Sequence, residues 1–278
     1  MSSGAKMSGL AAQGPRQMGE RRFGRVNWMG LQTLALRETR RFLAVWTQTL
    51  AAPLVTAGLF LAIFTLAIGP SRGEVMGVAF TVFLAPGILM MTVIQNAFAN
   101  SSSSIMISKV QGNIVDTLMP PLSPGELVIG YLSGALARGL ACGVVIALGL
   151  VLGLGYGLAH PFWLLAFVTM GSLLLGALGM IAGIWAPKFD QIAAITNFVV
   201  TPLAFLSGTF YAQDRLPDGL RLFNQVNPVF YLIDGTRFAM IGTSDSPPLV
   251  GIVVVGLCTA AVWFWAWWWL RTGFRLKA

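Results

Sequence analysis

Long uncharged apolar stretches dominate residues 42 to 270, while Lys and Arg crowd the forty residues before them and return as Arg271, Arg275 and Lys277. This layout constrains the fold more than any other feature. Basic residues are retained in the cytoplasm when apolar segments insert, so the chain reads as a polytopic membrane protein with both termini cytoplasmic. Only 10% of its residues are charged and 56% are hydrophobic, against roughly 25% charged in soluble domains. A net charge of +8 does not point to nucleic acid, because the basic residues flank apolar runs and form no separate basic domain. Cys142 and Cys258 lie inside apolar runs and read as small buried hydrophobes. The first twenty residues lack the apolar core of a signal peptide, and residues 1–25 are expected to be a flexible cytoplasmic tail.

A crossing helix needs about twenty apolar residues, and six windows qualify, near 50–68, 75–99, 127–154, 162–185, 192–210 and 249–270. The uncharged stretch from Gly139 to Pro187 must hold two spans, since Gly153, Gly155, Gly157 and His160-Pro161 supply a tight hairpin. With the N-terminus inside, thirteen Lys and Arg fall on the cytoplasmic side: eight before position 42, then Lys109, Lys188, Arg271, Arg275 and Lys277. Arg72, Arg215, Arg221 and Arg237 fall outside, which agrees with the positive-inside rule. Trp265, Trp267, Trp268 and Trp269 before Arg271 read as an interfacial belt, with an aromatic substrate site as the competing reading. Residues 273–278 are the cytoplasmic C-terminus.

Three segments are neither span nor plain loop. Residues 26–49 alternate Val26, Leu31, Leu34, Phe42, Val45 and Trp46 with Arg37, Glu38, Arg40 and Arg41, a pattern suited to a helix in the headgroup layer; the arginines would also fix topology. Between spans two and three, Ser101–Ser104 precede a short amphipathic stretch to Met119, stopped by Pro120 and Pro121. Ser123-Pro124-x-Glu126 then opens a fresh helix. Such punctuation suits a docking element for a cytoplasmic partner, although helix connections without partners also carry it. On the outer side, Asn227-Pro228 provides an N-cap and first-turn Pro, and Gly242 a stop, predicting a helix over 228–241. It is too short to span and too apolar for water, so it is expected to be re-entrant or interfacial. Asp234 and Arg237 share a face three residues apart, as a structural ion pair or a substrate contact. Gly130/Gly134, Gly139/Gly143, Gly149/Gly153 and Gly179/Gly183 repeat Gly-x3-Gly, for packing within the chain or along a dimer seam. Arg138 would snorkel or pair within the bundle. His160 has no carboxylate partner nearby in sequence and is assigned no chemistry.

No Gly-x4-Gly-Lys-Ser/Thr phosphate loop surrounds Lys6, Lys109, Lys188 or Lys277, so no ATP chemistry is expected in this chain. It also lacks catalytic or metal-ligand motifs, and its spans hold almost no ionisable residue for a proton or sodium relay. A permease driven by a separate ATPase is therefore favoured over a secondary transporter, and a membrane scaffold or sensor subunit stays open.

Several motifs appear in order: Arg41-Phe-Leu-x-Val-Trp46, Ala85-Pro-Gly87, Asn96-Ala-x-Ala-Asn100, Gly112-Asn-Ile-x-Asp-x-Leu118 with Pro120-Pro121, Gly130-Tyr131 and Ala137-Arg-Gly139. Leu206-Ser-Gly-x-Phe-Tyr211 and Asn227-Pro-x-x-Tyr231-x5-Arg237 complete the series. Over residues 30–272 it resembles the membrane subunit of ABC-2 type transporters. The resemblance implies an all-α domain over 26–272 and a homodimer bound to two copies of a cytosolic ATP-binding subunit, which holds the ATP and magnesium. It further implies an exporter in a bacterial inner membrane, moving a lipid-linked glycan, lipid or amphipathic drug. Residues 26–49, with Arg37, Arg40 and Arg41, would be the interface helix. Residues 101–125 would be the coupling element, with Lys109, Gly112, Asn113, Asp116 and Leu118 at the ATPase, and 211–242 re-entrant helices with Asn227, Pro228, Tyr231, Asp234 and Arg237 at an outer gate. ATP-driven closure of the partner would shift spans one, two and five and open the path outward.

Overall fold

A computed structural model describes residues 26–67, 69, 73–213 and 217–275. The expected tail 1–25, the last residues 276–278, and Arg72, Arg215 and Lys277 from the charge tally lie outside the described residues.

In chain order, α1 (Trp28–Leu43) leads into α2 (Thr47–Ala67). A small antiparallel hairpin, β1 (Glu74–Val75) and β2 (Val78–Ala79), precedes α3 (Phe80–Val110). Then come α4 (Ile114–Leu118), α5 (Pro124–Gly153), α6 (Pro161–Trp185) and α7 (Phe189–Thr209). Two shorter helices, α8 (Asp218–Val226) and α9 (Pro228–Ile241), precede α10 (Pro248–Thr272). Six of these, α2, α3, α5, α6, α7 and α10, are long and apolar enough to cross a membrane, matching the six expected windows.

The second window differs most. The expected span over 75–99 and the short stretch expected after Ser101–Ser104 are largely one element: the hairpin occupies the start of the window and α3 then runs unbroken for 31 residues to Val110. Several serines bond back to their own helix without interrupting it: Ser102 Oγ donates to Phe98 O at 2.8 Å, Ser103 Oγ to Asn100 O at 3.2 Å and Ser108 Oγ to Ser104 O at 3.1 Å. Being small, they also form a seam against α6. A Cβ at Gly179 would lie 2.3 Å from the Phe98 carbonyl oxygen, and one at Gly183 2.9 Å from that of Ser102, so the backbones meet where only glycine fits. The short helix expected to run up to Met119 is correspondingly reduced to α4.

α3 is the centre of the bundle, with 83% of its most apolar window buried, against 11% for α2 and 17% for α10. Phe83, Leu84, Leu89 and Met90 of α3 pack with Phe167 and Leu174 of α6 in the main core. The glycine pairs serve packing within the chain: Gly130 and Gly134 receive Leu34 and Glu38 of α1, and Gly139 and Gly143 receive Ser172 and Val168 of α6. Gly153 has nothing within 4 Å of a would-be Cβ. α7 is the least regular span, containing two π turns and a kink at Ser207 and Gly208, where Gly208 takes φ +86°.

Candidate functional site

The expected coupling segment is a compact loop pinned to α1. Gly112, with φ +73°, reverses the chain after α3 in the left-handed region that favours glycine. α4 follows, turning Ile114 and Thr117 inward while Val115, Asp116, Leu118 and Met119 stay exposed. Past Pro120 and Pro121, Ser123 and Glu126 form the expected capping box: Ser123 N–H donates to Glu126 Oε2 at 2.5 Å, and Glu126 N–H to Ser123 Oγ at 3.4 Å. The other Glu126 oxygen, Oε1, accepts from the Asn27 backbone N–H at 2.7 Å, so one carboxylate anchors the start of α5 to the start of α1.

A second tie is made by Arg37, whose Nη1 donates to Thr117 Oγ1 at 2.9 Å. Arg37 and Arg41 also flank Glu38, with closest ion-pair distances of 3.1 and 3.2 Å. Glu38 is buried, and its charge is balanced by these two neighbours. Arg41 reaches on to α3, donating to Asn100 O at 2.8 Å and to Ser103 Oγ at 3.3 Å. Arg40 remains exposed. A cleft of about 420 Å³ lies between Met29, Thr33 and Arg37 of α1 and Asp116, Pro120 and Pro121. A basic cleft of the same size is lined by Arg37, Arg40, Arg41, Gln111 and Asn113. Asn113 Nδ2 donates to Gln111 Oε1 at 3.2 Å, bracing the turn at Gly112.

Lys109 is placed differently from the other residues named for an ATPase contact. Its ammonium donates to the carbonyls of Gly183 (3.3 Å), Ile184 (2.8 Å) and Ala186 (2.8 Å), at the end of α6. It caps a helix C-terminus, and Gly112, Asn113, Asp116 and Leu118 are left to present the exposed surface.

At the opposite end of the bundle, α9 has the predicted bounds. Asn227 Oδ1 accepts from Val229 N–H at 3.0 Å, Pro228 opens the first turn, and Gly242 closes the helix at φ +79°. Asn227 Nδ2 also donates to Ser207 Oγ at 2.7 Å, fastening α9 to the kink of α7. Tyr231 Oη donates to Gln225 O at 2.9 Å and holds α8. Asp234 and Arg237 are fully enclosed and 3.6 Å apart. Each has a further role: Asp234 accepts from the backbone N–H groups of Asp245 (2.8 Å) and Ser246 (2.9 Å), shaping the loop before α10. Arg237 donates to Gly208 O at 2.7 Å, stacks over the Phe83 ring at 4.0 Å and lies 3.8 Å from Asp245. Burial raises the Tyr211 phenol above its ordinary value, so it remains a neutral donor, and it donates to Leu206 O. Arg138 pairs within the bundle, with Nη2 2.7 Å from Asn96 Oδ1.

Sequence reasoning placed Glu38 in the helix but missed its buried ion pairs, and it missed Thr117 and the tie between Asn27 and Glu126. For Glu38 a signal exists, an acid flanked by Arg37 and Arg41 in an otherwise basic helix. For Thr117 none does, because its partner lies 80 residues away.

The family model described as ABC-2 type transporter matches residues 29–241. The chain is 31% identical over 90% of its length to the inner membrane transport permease YadH of Escherichia coli (strain K12), 98% of which is covered. It is also similar to nodulation protein J of Rhizobium leguminosarum bv. viciae, at 26% identity over 63% of this chain and 68% of that protein. Nodulation protein J of Rhizobium leguminosarum bv. trifolii is 27% identical over 79% of this chain and 83% of that protein. With six bilayer-length apolar helices and a family match over most of its length, the chain belongs to the ABC-2 type transporters as a membrane permease subunit.

Proposed function

We propose that this permease is an exporter subunit of a bacterial inner membrane, working as a homodimer with two copies of a cytosolic ATP-binding subunit that hold ATP and magnesium. The α1 end and both termini face the cytoplasm, α1 lies along the headgroup layer, and α8 and α9 form the outer gate. The cargo class is a lipid-linked glycan, lipid or amphipathic drug, in keeping with a bundle this poor in polar groups.

One observation carries the coupling assignment: the loop 111–126 is bonded to α1 through Thr117 and Glu126, while Val115, Asp116, Leu118 and Met119 point away from the bundle. A rigid, partly apolar knob on a polar base suits a partner that must push on it. Partner closure shifts the permease only by binding its two conformations with different affinity, so the contact must be firm and the loop stiff. Co-expression with the candidate ATPase, purification through a tag on this chain alone, and measurement of co-eluting protein and ATP hydrolysis test the reading. A stoichiometric, vanadate-sensitive complex is expected; a homodimer that never captures the ATPase would sink it.

A further inference from the structure

We propose that the groove between α7 and α10 is a binding site for one anionic phospholipid, held by its acyl chain inside the groove and by its headgroup at Arg275. The groove encloses about 490 Å³ and is bounded by α3, α6, α7 and α10; Phe98, Leu178, Val199, Leu203, Trp265 and Trp269 are among its walls. From Ile195 to Leu203 it follows α7 for about 12 Å, at 1.5 Å per residue. Its walls include α7 and α10, two spans whose most apolar windows are only 33% and 17% buried, so much of their apolar surface is left for a ligand. Such a cleft in a membrane helix bundle fills with hydrocarbon.

Charge selects the kind of lipid. The groove ends at Trp185, Trp269 and Phe274, where α6 and α10 finish. There Arg275 lies 5.8 Å over the Trp185 ring and 5.5 Å over that of Phe274, and its Nη1 donates to Trp185 O at 3.2 Å. A guanidinium has five N–H donors, so most remain for a ligand. The backbone of Arg275 takes φ +50°, a left-handed conformation rare for a side-chain-bearing residue, and its guanidinium rests on two of the rings that end the groove. Lys109 sits close enough to Arg275 for the two cations to repel, with its donors engaged on α6 carbonyls. Lys188 follows three residues after Trp185, and Asp190 is the acid nearest to it in sequence. Among the described residues, Arg275 therefore brings to the mouth a cation with free donors that a phosphate would neutralise. A second copy of the chain brought symmetrically to this mouth would add the same cations, which argues for a lipid over a dimer contact here.

The test is native mass spectrometry of the full chain, delipidated in detergent and then offered phosphatidylglycerol or phosphatidylcholine of identical acyl chains. The parent is expected to retain one phosphatidylglycerol per chain, with a preference over phosphatidylcholine of about fivefold for each engaged cation. Arg275→Gln should bind both lipids alike, at the phosphatidylcholine level of the parent. Val199→Trp, at a half-exposed position on the groove wall, should lose both. Equal retention of the two lipids by the parent, or variants that retain phosphatidylglycerol as the parent does, would overturn the site. So would a parent that retains neither lipid while Val199→Trp changes the oligomeric state, since the groove would then belong to a second copy.

Discussion

Lys109 Nζ donates to the Ile184 carbonyl at 2.8 Å across 75 residues of sequence. The carbonyls of a last helical turn have no partner within their own helix, and a cation there also meets the negative end of the helix dipole. Lys109 thus fixes the end of α3 to the end of α6, immediately before the chain turns at Gly112 into the proposed coupling loop.

Lys109→Met should therefore act on stability. Loss of charged hydrogen bonds to partly buried carbonyls costs about 1–3 kcal/mol, visible as a lower melting temperature of the purified permease. The folded fraction should still capture the ATPase subunit. An unchanged melting temperature combined with lost capture would instead mean that Lys109 touches the partner directly.

Thr117→Val keeps the side-chain shape and removes the acceptor of Arg37. A bond to a charged donor contributes about 1.5–3 kcal/mol, and about 1.4 kcal/mol corresponds to a tenfold change in opening. Hydrogen exchange over residues 112–119 should accelerate by roughly tenfold or more by that conversion, with the spans unaffected. Exchange equal to that of the parent would show that the tether to α1 does not stiffen the loop.

Asp116→Lys combined with Gly112→Val should separate ATP hydrolysis from transport without unfolding the bundle. Asp116 is exposed, and nothing lies within 4 Å of a Cβ at Gly112, so the strain comes from φ +73° alone. A left-handed residue with a side chain costs about 1–2 kcal/mol. If the complex of this variant keeps substrate-stimulated hydrolysis at the parental level, the coupling role assigned to this loop fails.

What the sequence could disclose follows the range of the interactions involved. The spans, the capping box at Ser123 and Glu126, and the bounds of α9 at Asn227 and Gly242 depend on residues within a few positions of one another, and their chemistry is readable locally. The short helix expected after Ser101–Ser104 is instead continuous with α3, because serines that compete for the backbone in water are packed here within the bundle, where Ser102, Ser103 and Ser108 bond back to their own helix. The destinations of Lys109, of Arg37 and of the second oxygen of Glu126 depend on pairings across 75, 80 and 99 residues, which no local pattern encodes. The glycine spacing announced close packing but not its partner; only the fold shows that Gly179 faces Phe98 and that Gly153 faces nothing within reach.

Those two glycines give a paired stability test. At Gly179 a methyl group would lie 2.3 Å from the Phe98 carbonyl oxygen and 3.0 Å from its Cα, both backbone atoms that cannot rotate away. Gly179→Ala must push α6 off α3 at the centre of the bundle, and overpacking of that kind costs about 1–3 kcal/mol or more. Gly153→Ala meets nothing within 4 Å, and alanine is favoured over glycine in a helix by roughly 1 kcal/mol. Thermal melts of the two purified variants should move in opposite directions, Gly179→Ala downward and Gly153→Ala unchanged or upward. A loss of stability at Gly153 would overturn the reading of this position as open, since among the described residues there is nothing within 4 Å for the added methyl to meet.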